Sequence, residues 1–146
     1  MAIKPQIESV TVLGTGVLGS QIAYQTAYSG FQVTAYDISD ESLENAKNSF
    51  EQLAALYEQE VDGAAGGPAR DALARIHGSS DLAEAVRDAD VVIESIPEKL
   101  DLKRDVYARL GRLAPEKTIF ATNTSMLLPS ELAASTGRPE RFLAMH

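Results

Sequence analysis

The 146-residue sequence contains no cysteine and no tryptophan, two histidines, and no apolar run approaching membrane length. Lack of cysteine excludes disulfides, thiolate zinc sites and thiol nucleophiles together. His77 and His146 are the available imidazoles, so no metal site is expected. The longest apolar stretches are too short to span a bilayer, and residues 1–6 lack the apolar core of a signal peptide. Positive charge is also scarce: 13 Lys and Arg face 21 Asp and Glu, a formal charge of −8. Such a balance argues against nucleic acid or an anionic membrane as the principal partner. An anionic ligand would have to be gripped by local backbone dipoles, against the field of the whole molecule. A soluble, cytoplasmic protein is the expectation.

What is present is enough apolar sequence, 45% of residues, for one domain over 1–146 with a real core. The chain is organised around residues 10–23. Val10 to Leu13 form an apolar run of strand length, which empties into Gly14-Thr15-Gly16-Val17-Leu18-Gly19 and then into helix-compatible Gln21, Ile22 and Ala23. In this spacing the first glycine permits a tight turn, the second lets backbone approach a pyrophosphate, and the third lets helix lie close on sheet. The helix start presents unpaired N–H groups and a positive dipole end to the phosphates. Asp37 follows a second strand-like run, residues 32–36, at the distance expected of a ribose-binding acid. These features predict a dinucleotide site with Gly14, Thr15, Gly16, Val17, Leu18, Gly19 and Asp37 around the cofactor. Asp37 would meet a 2′-phosphate with like charge, at about 4 kcal/mol per unit charge for 4 Å and an effective dielectric near 20. Ile38, Ser39 and Asp40 offer no compensating cation, so NAD is expected over NADP.

The remaining pattern alternates strands and helices, predicting an α/β fold of the Rossmann type: a doubly wound, mostly parallel sheet with helices on both faces. Gly30 ends the first helix, and Ser39 or Asp40 caps a long second one whose Leu43, Ala46, Phe50, Leu53 and Tyr57 face the sheet. Residues 62–68 form a glycine-rich loop within the domain. Asp81-x-x-Glu84 resembles a capping box, residues 90–93 read as a central strand, and Leu102, Val106, Leu110 and Leu113 mark an amphipathic helix. Strands over 118–121 and 142–145 complete the sheet. Ligands of such sheets bind beyond the carboxyl ends of the strands. Those ends deliver Glu94, Ser95 and Glu98, then Asn123 and Ser125, then His146. On spacing alone Ser125 also fits a helix cap, Glu98 with Lys103 a solvated pair, His77 a surface residue and His146 a frayed end.

Residues 12–23, Ile93-Glu94-Ser95-Ile96-Pro97-Glu98, Ile119-Phe120-Ala121-Thr122-Asn123-Thr124-Ser125 and residues 138–146 occur in this order. Together they resemble the N-terminal, NAD-binding domain of the 3-hydroxyacyl-CoA dehydrogenases, a family that includes 3-hydroxybutyryl-CoA dehydrogenase. The resemblance implies oxidation of an (S)-3-hydroxyacyl thioester to the 3-ketoacyl form with NAD. Glu98, Lys103, Asn123 and Ser125 then join the cofactor-binding set. Ser125 matches the serine that hydrogen-bonds substrate oxygen near the nicotinamide, and His146 matches the general base. In the family a Phe-Phe/Trp-Asn-Pro motif, an orienting glutamate and a helical substrate and dimerisation domain follow that histidine. The expectation is therefore a cofactor-binding fragment, monomeric and nearly inactive alone, from a homodimeric full-length enzyme. The helix after Asp37 lacks Lys and Arg from 48 to 62 and carries Glu51, Glu58 and Glu60. That departure raises, as an alternative, relatives acting on non-CoA 3-hydroxy acids, of the carnitine or gulonate dehydrogenase type. A non-catalytic, crystallin-like NAD-binding relative is a further alternative, and a transcriptional NAD sensor is disfavoured for want of a basic DNA-binding segment.

Overall fold

In a computed structural model of the protein, residues 6–123 and 129–145 are described. Ser125 and His146 lie outside the described residues. The elements are β1 (Ser9–Leu13), α1 (Val17–Tyr28), β2 (Gln32–Tyr36), α2 (Asp40–Glu60), α3 (Pro68–Leu73), β3 (Ile76–Ser79), α4 (Leu82–Val86), β4 (Val91–Glu94), α5 (Leu100–Leu113), β5 (Ile119–Thr122), α6 (Pro129–Ser135) and β6 (Phe142–Ala144). The six strands form one sheet in the order β3-β2-β1-β4-β5-β6, and every pairing is parallel. This is the doubly wound arrangement, with its change of direction between β1 and β4.

Strand alternation divides the core in two. Val10 and Val12 of β1, with Val33, Ala35, Ile93 and Ala121, bury against Ala23, Tyr24 and Ala27 of α1, Ala46, Phe50 and Ala54 of α2 and Ala72 of α3. Leu13, Val92 and Phe120 point to the other face, against Leu82 and Val86 of α4, Tyr107 and Leu110 of α5 and Leu132 of α6. Ser39 is the residue that caps α2, its hydroxyl accepting from the Ser42 N–H at 3.2 Å. Asp81 caps α4 by accepting from the Ala83 and Glu84 N–H groups. The capping box is only half made, because the Asp81 N–H donates to Ser79 Oγ and the Glu84 carboxylate turns toward exposed His77 at 3.7 Å. Gly30 stands one residue beyond the α1 cap, Ser29, with φ of 105°, the left-handed step that lets the chain leave the helix.

The buried face of α5 differs from the apolar stripe expected for it. Leu102 and Leu113 are 41% and 40% exposed, whereas Lys103, Tyr107 and Leu110 are buried. The helix is rotated so that a lysine and a tyrosine face inward, where a carboxylate awaits both. Among the described residues, no helix is long and apolar enough to cross a membrane.

Candidate functional site

At the carboxyl end of β1 the chain turns through Gly14, whose φ is 96° and whose N–H donates to the Tyr36 carbonyl at 2.9 Å. A Cβ here would overlap the Ser95 carbonyl oxygen, backbone that leaves β4 beside it. A Cβ at Gly19 would overlap the Gly14 carbonyl oxygen, so this glycine brings α1 against the turn. Gly16 differs from both. Nothing lies within 4 Å of where its Cβ would be, and residues 16–18 are exposed. Gly16 is also the N-cap of α1 and contributes no side-chain cap. The first N–H groups of α1 therefore have no intrahelical partner and open onto this space. Among the described α-helices, α1 alone has no acidic residue in its first turn. The helix end keeps its positive potential, and the residues fit a diphosphate.

Asp37 stands beside this turn at the end of β2. Its Oδ2 accepts from the Thr15 N–H at 2.9 Å and from Thr15 Oγ1 at 2.6 Å, and Oδ1 accepts from the Ile38 N–H at 2.7 Å. An ionised carboxylate has about four lone-pair positions, so roughly one remains open. One ribose hydroxyl can use it directly; a second must displace the Thr15 hydroxyl.

Across the switch point the rim is built from buried side chains. Glu94, the last residue of β4, is fully buried. Its Oε1 accepts from Thr122 Oγ1 at 2.6 Å and from the Tyr107 hydroxyl at 3.1 Å. Its Oε2 accepts from the Ile96 N–H at 2.9 Å and lies 3.0 Å from Lys103 Nζ. The same ammonium reaches Glu98 Oε1 at 3.1 Å. Burial, and then the Glu94 charge, push the Tyr107 hydroxyl far above the usual phenol range. Lys103 side chain is 1% exposed and that of Glu98 36%, so the pair is not the solvated one that spacing allowed. The structure places Lys103 beneath the rim and Glu98 on it. Asn123 is half-buried at the exit of β5, where its N–H donates to the Glu94 carbonyl at 3.0 Å.

Spacing put Glu94 on the rim but gave it no role, because its side-chain partners come from β5 and α5. Arg70 is another residue that spacing missed: α3 brings it to the acidic face of α2, within 3.0 Å of Glu51 and 2.9 Å of Glu58. That face thus gains a cation, but one occupied by two carboxylates. A cleft of about 630 Å³ lies elsewhere, at the C-terminal end of α5 near Gly111, Arg112 and Gly137. There Arg138 donates to the Gly111, Ala114 and Pro115 carbonyls and lies over the Phe120 ring, which explains an arginine at that point by helix capping.

The family profile described as "3-hydroxyacyl-CoA dehydrogenase, NAD binding domain" matches residues 9–146. The chain belongs to this family. It is 38% identical over 142 residues to the probable 3-hydroxybutyryl-CoA dehydrogenase of Bacillus subtilis, covering 97% of this chain and 48% of that protein. With the mitochondrial hydroxyacyl-coenzyme A dehydrogenase of Rattus norvegicus it shares 36% over 147 residues, 98% of this chain and 47% of the relative. A solved structure described as "Substrate-directed dual catalysis of dicarbonyl compounds by diketoreductase" superposes with a TM-score of 0.96 at 64% identity, over 98% of this chain and 50% of that one. The chain thus spans about half the length of the relatives it matches. As a 3-hydroxyacyl-CoA dehydrogenase NAD-binding domain, it has NAD as its cofactor.

Proposed function

We propose that these residues form the cofactor half of an NAD-dependent dehydrogenase moving hydride between C3 of a 3-hydroxyacyl compound and the nicotinamide, in a cytoplasmic setting and as a homodimer at full length. The observation that carries the reading is the open space at Gly16, faced by the uncapped start of α1 and flanked by Asp37. The N–H groups of Val17, Leu18 and Gly19 would hold the diphosphate, and Asp37 the adenosine ribose. Glu98 and Asn123 stand on the far side of the switch point, where the nicotinamide half of a dinucleotide lies in this topology. When bound, the nicotinamide supplies the hydride acceptor. Through the family resemblance, Ser125 would hydrogen-bond the substrate oxygen and His146 would take the 3-hydroxyl proton. An imidazole suits this task because its ordinary pKa, near 6.5, is close to working pH. Exclusion of water and orientation of the base belong to the helical domain that follows in the family.

A second reading concerns the acyl carrier. The acidic face of α2 holds Arg70 between Glu51 and Glu58 and pairs Lys47, at 3.1 Å, with Glu44, so both described cations along that helix already face carboxylates. The 64% identical structure is described by its action on dicarbonyl compounds. Both favour a 3-oxo or 3-hydroxy substrate without CoA. Parallel calorimetric titrations with NADH, NADPH, acetoacetyl-CoA and a small dicarbonyl ester test both readings. NADH should bind at least about tenfold tighter than NADPH, from the like charge at Asp37. NADPH binding more tightly would overturn the role of Asp37, and tight acetoacetyl-CoA binding would overturn the second reading.

A further inference from the structure

We infer that Glu94 is a positioning residue for the nicotinamide half of the site, setting the rim loops after β4 and β5 through one buried carboxylate. The inference rests on the NAD-binding reading above and concerns a residue which that reading leaves idle. Each contact of Glu94 leads to the rim. Through the Ile96 N–H it fixes the first turn after β4, and through Lys103 it sets the ammonium that holds Glu98. Through Thr122 Oγ1 and its own carbonyl to the Asn123 N–H it fixes the exit of β5. The Tyr107 hydroxyl ties Glu94 to the middle of α5 and also bonds Thr122, so it belongs to the same network.

A carboxylate here is an expensive choice if packing were its only purpose. A buried ion pair contributes little net stability compared with well-packed apolar residues, because desolvation opposes the attraction. What it does supply is geometry: two loops from different strands share one charged anchor with directional bonds. It also sets charge. Lys103 sits between a buried carboxylate and a rim carboxylate, so Glu94 and Glu98 share one ammonium. The diphosphate and adenosine contacts would be made by backbone at residues 14–19 and by Asp37, tied to Thr15. They meet the loop after β4 where Gly14 packs on the Ser95 carbonyl, a backbone contact that needs no charge on Glu94.

This separation gives the test. Glu94→Gln keeps the shape and the acceptor toward Thr122 but removes the charge that balances Lys103. Binding of NADH and of ADP-ribose, which lacks the nicotinamide, is measured by calorimetry on the same protein, with the emission shift of bound NADH as a second readout. NADH should weaken about tenfold, the size of one charge-assisted hydrogen bond, while ADP-ribose affinity stays within about twofold of wild type. Asp90→Asn, at the opposite end of the strands, serves as the structural control, lowering thermal stability without changing the NADH to ADP-ribose ratio. If Glu94→Gln does not fold, Thr122→Val carries the same predicted ratio. Equal weakening of both ligands, or none, overturns the inference. Failure of wild type to bind either ligand would instead overturn the NAD-binding reading beneath it.

Discussion

The two halves of the ligand rim solve the same task with opposite materials. The β1–β2 half is backbone and open: glycine turn, uncapped helix start, one half-buried carboxylate. The β4–β5 half is side chain and closed: a fully buried glutamate, a buried lysine, a tyrosine and a threonine in one network. A diphosphate has no orientation to be chosen among, so N–H groups and a dipole suffice for it. A ring that must present one face to a substrate needs rigid placement, and interlocked buried groups give that. The comparison teaches that glycines hold the first half by what they omit, and charges hold the second by what they connect.

The comparison breaks most severely at its joints. Gly19→Ala and Gly14→Ala each push a Cβ into backbone carbonyl oxygen, and Gly14 also needs its positive φ. Each should lower unfolding free energy by roughly 4 kcal/mol or more, measurable as loss of a cooperative urea transition. Next comes Lys103→Met, which strands Glu94 without its cation. A cost of about 3–5 kcal/mol is expected, and a variant as stable as wild type would show that the pair is not desolvated as described. Below that is a control from the opposite end of the strands. There Lys117, at 2.7 Å, together with the Glu8 and Ser9 N–H groups, holds Asp90 at a pKa of about 2. A carboxyl held below its ordinary value stabilises the fold above that value, near 3.8, and loses the contribution as pH falls toward 2. Asp90→Asn should therefore destabilise by about 1–2 kcal/mol at neutral pH, screened by exposed Lys117, and flatten the acid limb between about pH 4 and pH 2. NADH affinity should not change. The smallest effect is at Thr15→Val, which frees a lone pair on Asp37 while the Thr15 N–H keeps the carboxylate in place. NADH should bind about two- to threefold tighter, and marked weakening would mean that the hydroxyl is needed to aim the acid.

Legibility in the sequence divides along the same line. The open half could be read directly, because glycine spacing, a following strand and an acid are local signals, and Ser39 and Asp81 announced their helices in the same way. The closed half could not. Nothing in the spacing around Lys103 says that its helix will turn it inward, since the reason, Glu94, lies outside that helix at the end of β4. An apolar count therefore selects Leu102 and Leu113, which the structure leaves 41% and 40% exposed. Arg70 is a similar case: its partners on α2 are 12 and 19 residues away, beyond any helical period.

The central claim is that Gly16 is kept bare for a ligand, while Gly14 and Gly19 are kept bare for the fold. Gly16→Ala, assayed for urea unfolding and NADH binding on the same preparation, tests it most directly. Unfolding free energy should stay within about 1 kcal/mol of wild type, as for a small change at an N-cap, while NADH affinity falls more than about tenfold. A stable variant that binds NADH as wild type does would contradict the account.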